Sequence, residues 1–193
     1  MTEPALPVSD RMIDLRAETE HFARGVAKHA GRLQAHGISP EAIAQLGTYA
    51  PIGVGPINPL PGHLFEPSDD GAVHVILPVW EGHGIVDLIA FNPQRPGRWF
   101  WRIGQGWCLS PEQIGRPTFD MAPLQVWDTP LSWLQNNCQG VCVLDYDSPE
   151  IEQLRLAQSI ETDNLTARLI RLHLNRPRPL PEIITRRGRR SVA

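Results

Sequence analysis

Residues 72–109 read AVHVILPVWEGHGIVDLIAFNPQRPGRWFWRIGQGWCL. Val73–Trp80 is apolar enough for a central strand, and Glu81-Gly82-His83-Gly84 supplies a tight turn. Ile85–Phe91 returns, and Asn92-Pro93-Gln94-Arg95-Pro96-Gly97 makes the next turn. Arg98–Ile103 is the third strand. Successive side chains of a strand alternate between faces, so Trp99 and Trp101 share one face, with Phe100 and Arg102 on the other. The stretch holds four of the six tryptophans. It predicts an antiparallel β-meander at the centre of the chain.

On the N-terminal side, residues 10–36 carry Met12, Leu15, Phe22, Val26 and Leu33 at intervals near the helical period. They predict one long helix, begun by Ser9 or Asp10 and ended by Gly37. Ser39 and Pro40 open a second helix, with Ala42, Ile43 and Leu46 inward, that ends by Gly47. Residues 47–71 hold five prolines and five glycines. No regular element is expected there. The segment reads as a functional loop, or as an extended wrap pinned by Tyr49, Ile52, Val54, Ile57 and Leu60.

On the C-terminal side, after a linker (Ser110–Pro123), Leu124–Trp127 is a short strand. Thr129 and Pro130 start a short helix running to about Asn137. Gly140–Asp145 is a buried strand. Ser148 and Pro149 open a helix that buries Ile151, Leu154 and Ile160, and Asp163 restarts it with Leu165, Leu169, Ile170 and Leu172. The fold class expected is α+β: a mostly antiparallel sheet, with helices from both chain ends covering one face. Residues 1–175 form one globular domain, and 176–193 a basic Pro/Arg-rich flexible tail.

Charge is unevenly placed. Residues 1–167 carry 10 basic against 20 acidic side chains, a net of −10. Residues 168–193 carry eight arginines against Glu182 alone, a net of +7. An acidic body with a basic arm suits phosphate backbones or an acidic partner, or an arm that folds back on its own body. Arg176, Arg178, Arg186, Arg187, Arg189 and Arg190 are the candidate nucleic-acid contacts. No membrane span and no signal peptide are read. The three cysteines, Cys108, Cys138 and Cys142, form no disulfide framework, so a cytoplasmic location is expected.

Asp145 and Asp147 follow an apolar strand two residues apart. Such a pair can hold one Mg²⁺ through oxygen ligands, or Asp147 can simply cap the next helix. Trp99, Trp101 and Trp107, with Arg98 and Arg102, fit either a stacking platform for single-stranded bases or core filling. Cys138 and Cys142 lack the companions of a zinc site. His21, His29 and His36 fall in one sector of the first helix and read as a solvated face. His83, beside Glu81, is a candidate acid–base partner. The phosphate-binding P-loop, G-x-S-x-G and H-E-x-x-H patterns are absent, and Gly53-Val54-Gly55 opens no helix.

Val79-Trp80-Glu81-Gly82, then Asp87, then Leu144-Asp145-Tyr146-Asp147 resemble the acidic motifs of topoisomerase–primase (toprim) domains. There a glutamate ends an early strand in an E-G-x-x-D context and a later strand ends in D-x-D. The interval from Glu81 to Asp87 is two residues longer than that pattern, and a strand follows Asp87 where that fold has a helix. The resemblance implies Glu81 as catalytic acid or base, Asp145 and Asp147 as metal ligands, and Mg²⁺-dependent phosphodiester chemistry. DLIAFNPQRPGRWFWRIG is also similar in wording to segments of uncharacterised phage and prophage proteins associated with replication. The leading expectation is a non-catalytic accessory or adaptor of a phage or mobile element, needing no cofactor and contacting nucleic acid or a replication enzyme. The alternatives are the toprim-like enzyme, and an oligomerisation or protein-interaction module using the Trp-rich sheet.

Overall fold

The computed structural model describes residues 13–43, 52–116 and 122–176. The meander forms, but its third strand is Trp99–Trp101, shorter than the Arg98–Ile103 read from the sequence, because residues 102–106 turn away from the ladder. Strands β3 (Ala72–Glu81), β4 (Gly84–Phe91) and β5 (Trp99–Trp101) follow β1 (Gly53–Leu60) and β2 (Leu64–Pro67). Val75 pairs with Phe91 and Glu81 with Gly84 across the β3–β4 hairpin, and Ala90 pairs with Phe100 across β4–β5. Gly82, at φ 59, takes the first turn position, where a left-handed residue matches the twist of the flanking strands. Between the Val79–Asp87 and Trp80–Ile85 pairs, β4 carries one extra residue, Val86, a bulge that re-aims the end of the hairpin.

The five strands close into a barrel in the order β1-β2-β5-β4-β3. This corrects the reading of residues 47–71 as lacking regular structure, since β1 and β2 lie inside that segment. Proline and glycine conceal them for physical reasons. Pro56 has no N–H to give, but its carbonyl accepts the Ser68 N–H. Gly53 and Gly55 lie under Phe22, and a Cβ on either would come within 2.6 and 2.5 Å of Phe22 side-chain atoms. Ile52, Val54 and Ile57 are buried as expected, whereas Leu60 is exposed. Tyr49 lies outside the described residues.

The expected long N-terminal helix is two helices, α1 (Leu15–Ala23) and α2 (Val26–Ala35). Asp14 caps α1, its carboxylate accepting the Arg16 and Ala17 N–H groups; Ser9 and Asp10 lie outside the described residues. The break falls at Gly25, where a Cβ would lie 2.1 Å from the Val54 carbonyl oxygen, so the chain passes directly over the β1 backbone. Gly37, at φ 79, ends α2, and the Ser39 hydroxyl accepts the Ala42 N–H to cap a helical turn at residues 40–43. Arg102 clamps α1 to the barrel through a two-pronged bridge to Glu18, Nε–Oε2 2.7 Å and Nη2–Oε1 2.9 Å.

A second sheet runs β6-β8-β7-β9, from β6 (Cys108–Leu109), β7 (Leu124–Trp127), β8 (Val141–Val143) and β9 (Ile160–Glu161). β6 and β8 are antiparallel, but β7 is parallel to both β8 and β9, and β2 is parallel to β5. The sheets are therefore mixed, which corrects the expectation of a mostly antiparallel sheet. The cause is the crossover helix α3 (Pro130–Gln135), which carries the chain back so that β8 starts at the same end as β7. Thr129 caps α3, and Asp163 caps α4 (Asn164–Leu174), as read. Residues Pro149–Leu156 form a 3₁₀ helix capped by Ser148, and Ile160 sits in β9 rather than in a helix.

The helices do not share one face of one sheet. Ile76, Leu88, Ala90 and Phe100 of the barrel pack with Phe22 of α1 and with Phe65. The opposite strand faces, with Val75, Leu77, Val79, Ile89 and Phe91, meet Leu33, Trp133, Leu134, Leu109 and Cys142, which joins the barrel to the second sheet. The far side of that sheet, Trp107, Cys108, Val126, Val141 and Val143, packs on Ile151, Leu154 and Ile170. Leu165 and Leu172 were expected inward. They are exposed, because α4 turns Thr166 and Ile170 to the core. Among the described residues no helix is long and apolar enough to cross a membrane.

Candidate nucleic-acid interface and the acidic residues

Asp87 is fully buried inside β4 and makes no ion pair among the described residues. Its carboxylate instead accepts five backbone N–H groups. Oδ1 takes those of Leu88 (2.7 Å), Arg102 (3.0 Å) and Ile103 (3.0 Å). Oδ2 takes those of Gln105 (2.7 Å) and Gly106 (3.4 Å). A buried carboxylate is tolerable only when its lone pairs are satisfied in this way. The result is a rigid turn over residues 102–106. The acid that the toprim resemblance singles out beside Glu81 is thus the anchor of a loop.

Glu81 ends β3 and is exposed at the rim of a cleft of about 930 Å³, whose wall also carries Trp80, His83, Glu112, Trp133 and Cys138. Partial burial, then repulsion from Glu150, raises its carboxyl above the usual carboxylate range. No hydrogen bond links His83 to Glu81. Burial pushes the Cys138 thiol up to about 12, so at neutral pH it is protonated and a poor nucleophile. The indole N–H of Trp80 is buried with no acceptor among the described residues.

Asp145 and Asp147 lie elsewhere, at the end of β8. Asp145 Oδ1 accepts the Asp147 N–H at 2.9 Å. Asp147 pairs with the Arg176 guanidinium and lies 3.5 Å from Nδ1 of His173. Among the described residues no three His, Cys, Asp or Glu side chains converge as a metal ion requires, so Glu81 does not complete a donor set with the two aspartates.

Asp145 borders a second cavity, a groove of about 500 Å³ between β5, the 62–64 turn and the 104–106 turn. Trp99 and Trp101 line it. Both are half-buried, packed against the joint core of the two sheets, whereas Trp107 is buried at 2% exposure. The core-filling reading therefore holds for Trp107 and only in part for the other two. Arg102 is spent on Glu18. Arg98 is exposed, rests 5.2 Å over the Phe100 ring and pairs with no carboxylate among the described residues.

Arg168 and Arg171 are exposed on α4, one turn apart, and neither is paired with a carboxylate among the described residues. Arg176 follows at the helix end. Arg178, Arg186, Arg187, Arg189 and Arg190 lie outside the described residues. The exposed large apolar side chains described are Ile13, Leu60, Leu156, Leu165 and Leu172, and no tryptophan is among them.

Sequence reasoning missed Asp87 as a structural anchor and missed the groove. A signal for the first was present: an acid within an apolar strand, followed by Ile103-Gly104-Gln105-Gly106, a turn rich in N–H groups with no ladder to join. Compared with protein-family models, curated proteins and solved structures, the chain matches none.

Proposed function

We propose that this protein is a non-catalytic accessory that contacts nucleic acid through its C-terminal arginines, in the setting of a phage or other mobile element. One observation carries the reading: Arg168 and Arg171 stand exposed, with no carboxylate partner among the described residues, on the helix that precedes the arginine-dense C-terminal stretch of the sequence. Guanidinium groups without protein partners are free to replace the counterions of a phosphate backbone. The mobile-element setting rests only on the likeness of DLIAFNPQRPGRWFWRIG to phage protein segments. The metal-enzyme reading gains no support from the geometry, because Asp87 anchors a turn, Asp147 pairs with Arg176, and Glu81 lines a different cleft. The test compares the full chain with a chain ending at Arg176, binding a labelled duplex at several salt concentrations. Affinity that falls steeply with salt, with a log–log slope of about −4.5 for five phosphate contacts, and drops at least tenfold on truncation is expected. Equal affinity for the two chains overturns the reading.

A further inference from the structure

The groove beside β5 joins features that the arginine arm does not explain. Trp99 and Trp101 stand two residues apart on one face of the strand and form its apolar wall. The mouth is bordered by the His63 imidazole and by Arg98, whose guanidinium also rests over the Phe100 ring; both are exposed, and neither is paired with a carboxylate among the described residues. His63 is at φ 60, a left-handed conformation uncommon among non-glycine residues. The opposite lip is the 104–106 turn, fixed from below by Asp87. A volume of about 500 Å³ falls within the range of small-ligand sites, which begins near 300 Å³. Asp145 stands at the rim, its Oδ2 without a hydrogen-bond partner among the described residues, and Asp147, two residues on, holds Arg176. Arg176, the last described residue, is therefore tied down beside the edge of the groove.

We propose that this groove is a subsite for one unstacked base of single-stranded nucleic acid, seated against Trp99 and Trp101, with its phosphates toward Arg98 and His63 and with Asp145 favouring guanine. The proposal rests on the reading that the protein contacts nucleic acid, and specifies the strand state and base. Stacking on aromatic side chains tolerates any base, because every base has a π-face. The carboxylate adds selectivity: guanine alone among the bases presents two adjacent N–H donors on its pairing edge, which match Oδ2 and the second lone pair of Oδ1, the first being taken by the Asp147 N–H. Thymine presents one N–H between two carbonyls, and those carbonyls face the negative charge.

The experiment uses the full chain and three probes: a labelled (dT)₁₂, the same strand with one central guanine, and a duplex of equal length. Binding is followed by anisotropy and by quenching of tryptophan fluorescence. The guanine-bearing strand is expected to bind at least fivefold tighter than (dT)₁₂. Trp99→Leu should weaken both single strands about tenfold and leave the duplex unchanged. Asp145→Asn, at an exposed position, should abolish the guanine preference, so that the two single strands bind alike, and should strengthen (dT)₁₂ binding because the thymine carbonyls no longer face a negative charge; it remains informative if Trp99→Leu folds poorly. Equal affinity for the two single strands, or an unchanged preference in Asp145→Asn, overturns the guanine assignment. Duplex and single strands binding alike, with no effect of Trp99→Leu, overturns the groove while leaving the arm intact. Strand binding with tryptophan quenching that survives truncation at Arg176, together with duplex affinity that truncation does not change, upholds the groove and overturns the arm. Absence of binding to all three probes overturns both.

Discussion

Replacing Asp87 should cost more stability than any other single polar substitution among the described residues. In Asp87→Ala all five N–H groups lose their acceptor. The Arg102 N–H keeps a second bond, to the Leu88 carbonyl at 2.8 Å. Gln105 is exposed and can turn to water. The Leu88, Ile103 and Gly106 N–H groups are left in buried or half-buried places. At roughly 1–3 kcal/mol for each orphaned donor the loss is about 3–6 kcal/mol, allowing for some local relaxation. That is a large share of the roughly 5–15 kcal/mol that holds a typical domain together. Asp87→Asn keeps one oxygen but sets an amide N–H₂ against N–H donors on the other side, so about 2–4 kcal/mol is expected. Urea denaturation followed by tryptophan fluorescence would rank the three proteins. Amide exchange at Gln105 and Gly106 should accelerate in both variants even under native conditions. If Asp87→Ala lies within about 1 kcal/mol of the parent, the carboxylate is not the anchor and the rigidity assigned to the 102–106 turn is wrong.

Two glycines of neighbouring elements should respond in opposite directions. Gly25→Ala drives a methyl into the Val54 carbonyl and should cost about 1–3 kcal/mol, whereas Gly31→Ala, inside α2 with open space around it, should gain about 0.5–1 kcal/mol; thermal melts that shift the same way for both would contradict the placement of the N-terminal helices. Cys138 should react with iodoacetamide at pH 8 on the order of a thousandfold slower than a free thiol, given a pKa pushed to about 12, and labelling of Cys138 at a free-thiol rate in the native protein would refute its burial. Glu81 holds its proton more tightly folded than unfolded, so its charge subtracts stability as pH rises through the window just above the usual carboxylate range. Glu81→Gln should therefore melt higher than the parent at neutral pH and level with it in acid; a lower melting temperature at neutral pH would mean that the carboxylate has a favourable partner.

The meander was legible because its alternation and its turns agree: Glu81-Gly82-His83-Gly84 can do little but reverse the chain, and the structure places the reversal there. The caps Ser39, Thr129, Ser148 and Asp163 were legible for the same reason, since each combines a short polar side chain with the start of a helical run. β1 and β2 were not, because proline and glycine depress strand propensity in isolation, while here Phe22 requires the glycines and the ladder tolerates Pro56. That requirement exists only in three dimensions. The direction of β7 and β8 was hidden likewise, since a six-residue helix gives little notice that it is a crossover. At the candidate sites the sequence supplied residue types but not their company. Arg102 was a plausible phosphate ligand until Glu18 took it, and Asp145 and Glu81 were a plausible pair until the barrel set them at separate cavities.

The barrel is shut by one residue pair, Leu64 with Trp101, whereas three pairs join β4 to β5 and four join β1 to β2. Breathing of the cylinder should therefore begin at that latch, and the amides of β2 should be the first of the five strands to exchange with solvent. Trp101 belongs to the latch and to the groove alike. Anything that settles against its ring adds contacts across the weakest join, so occupancy would be felt as stiffening of the whole cylinder and read as a rise in melting temperature.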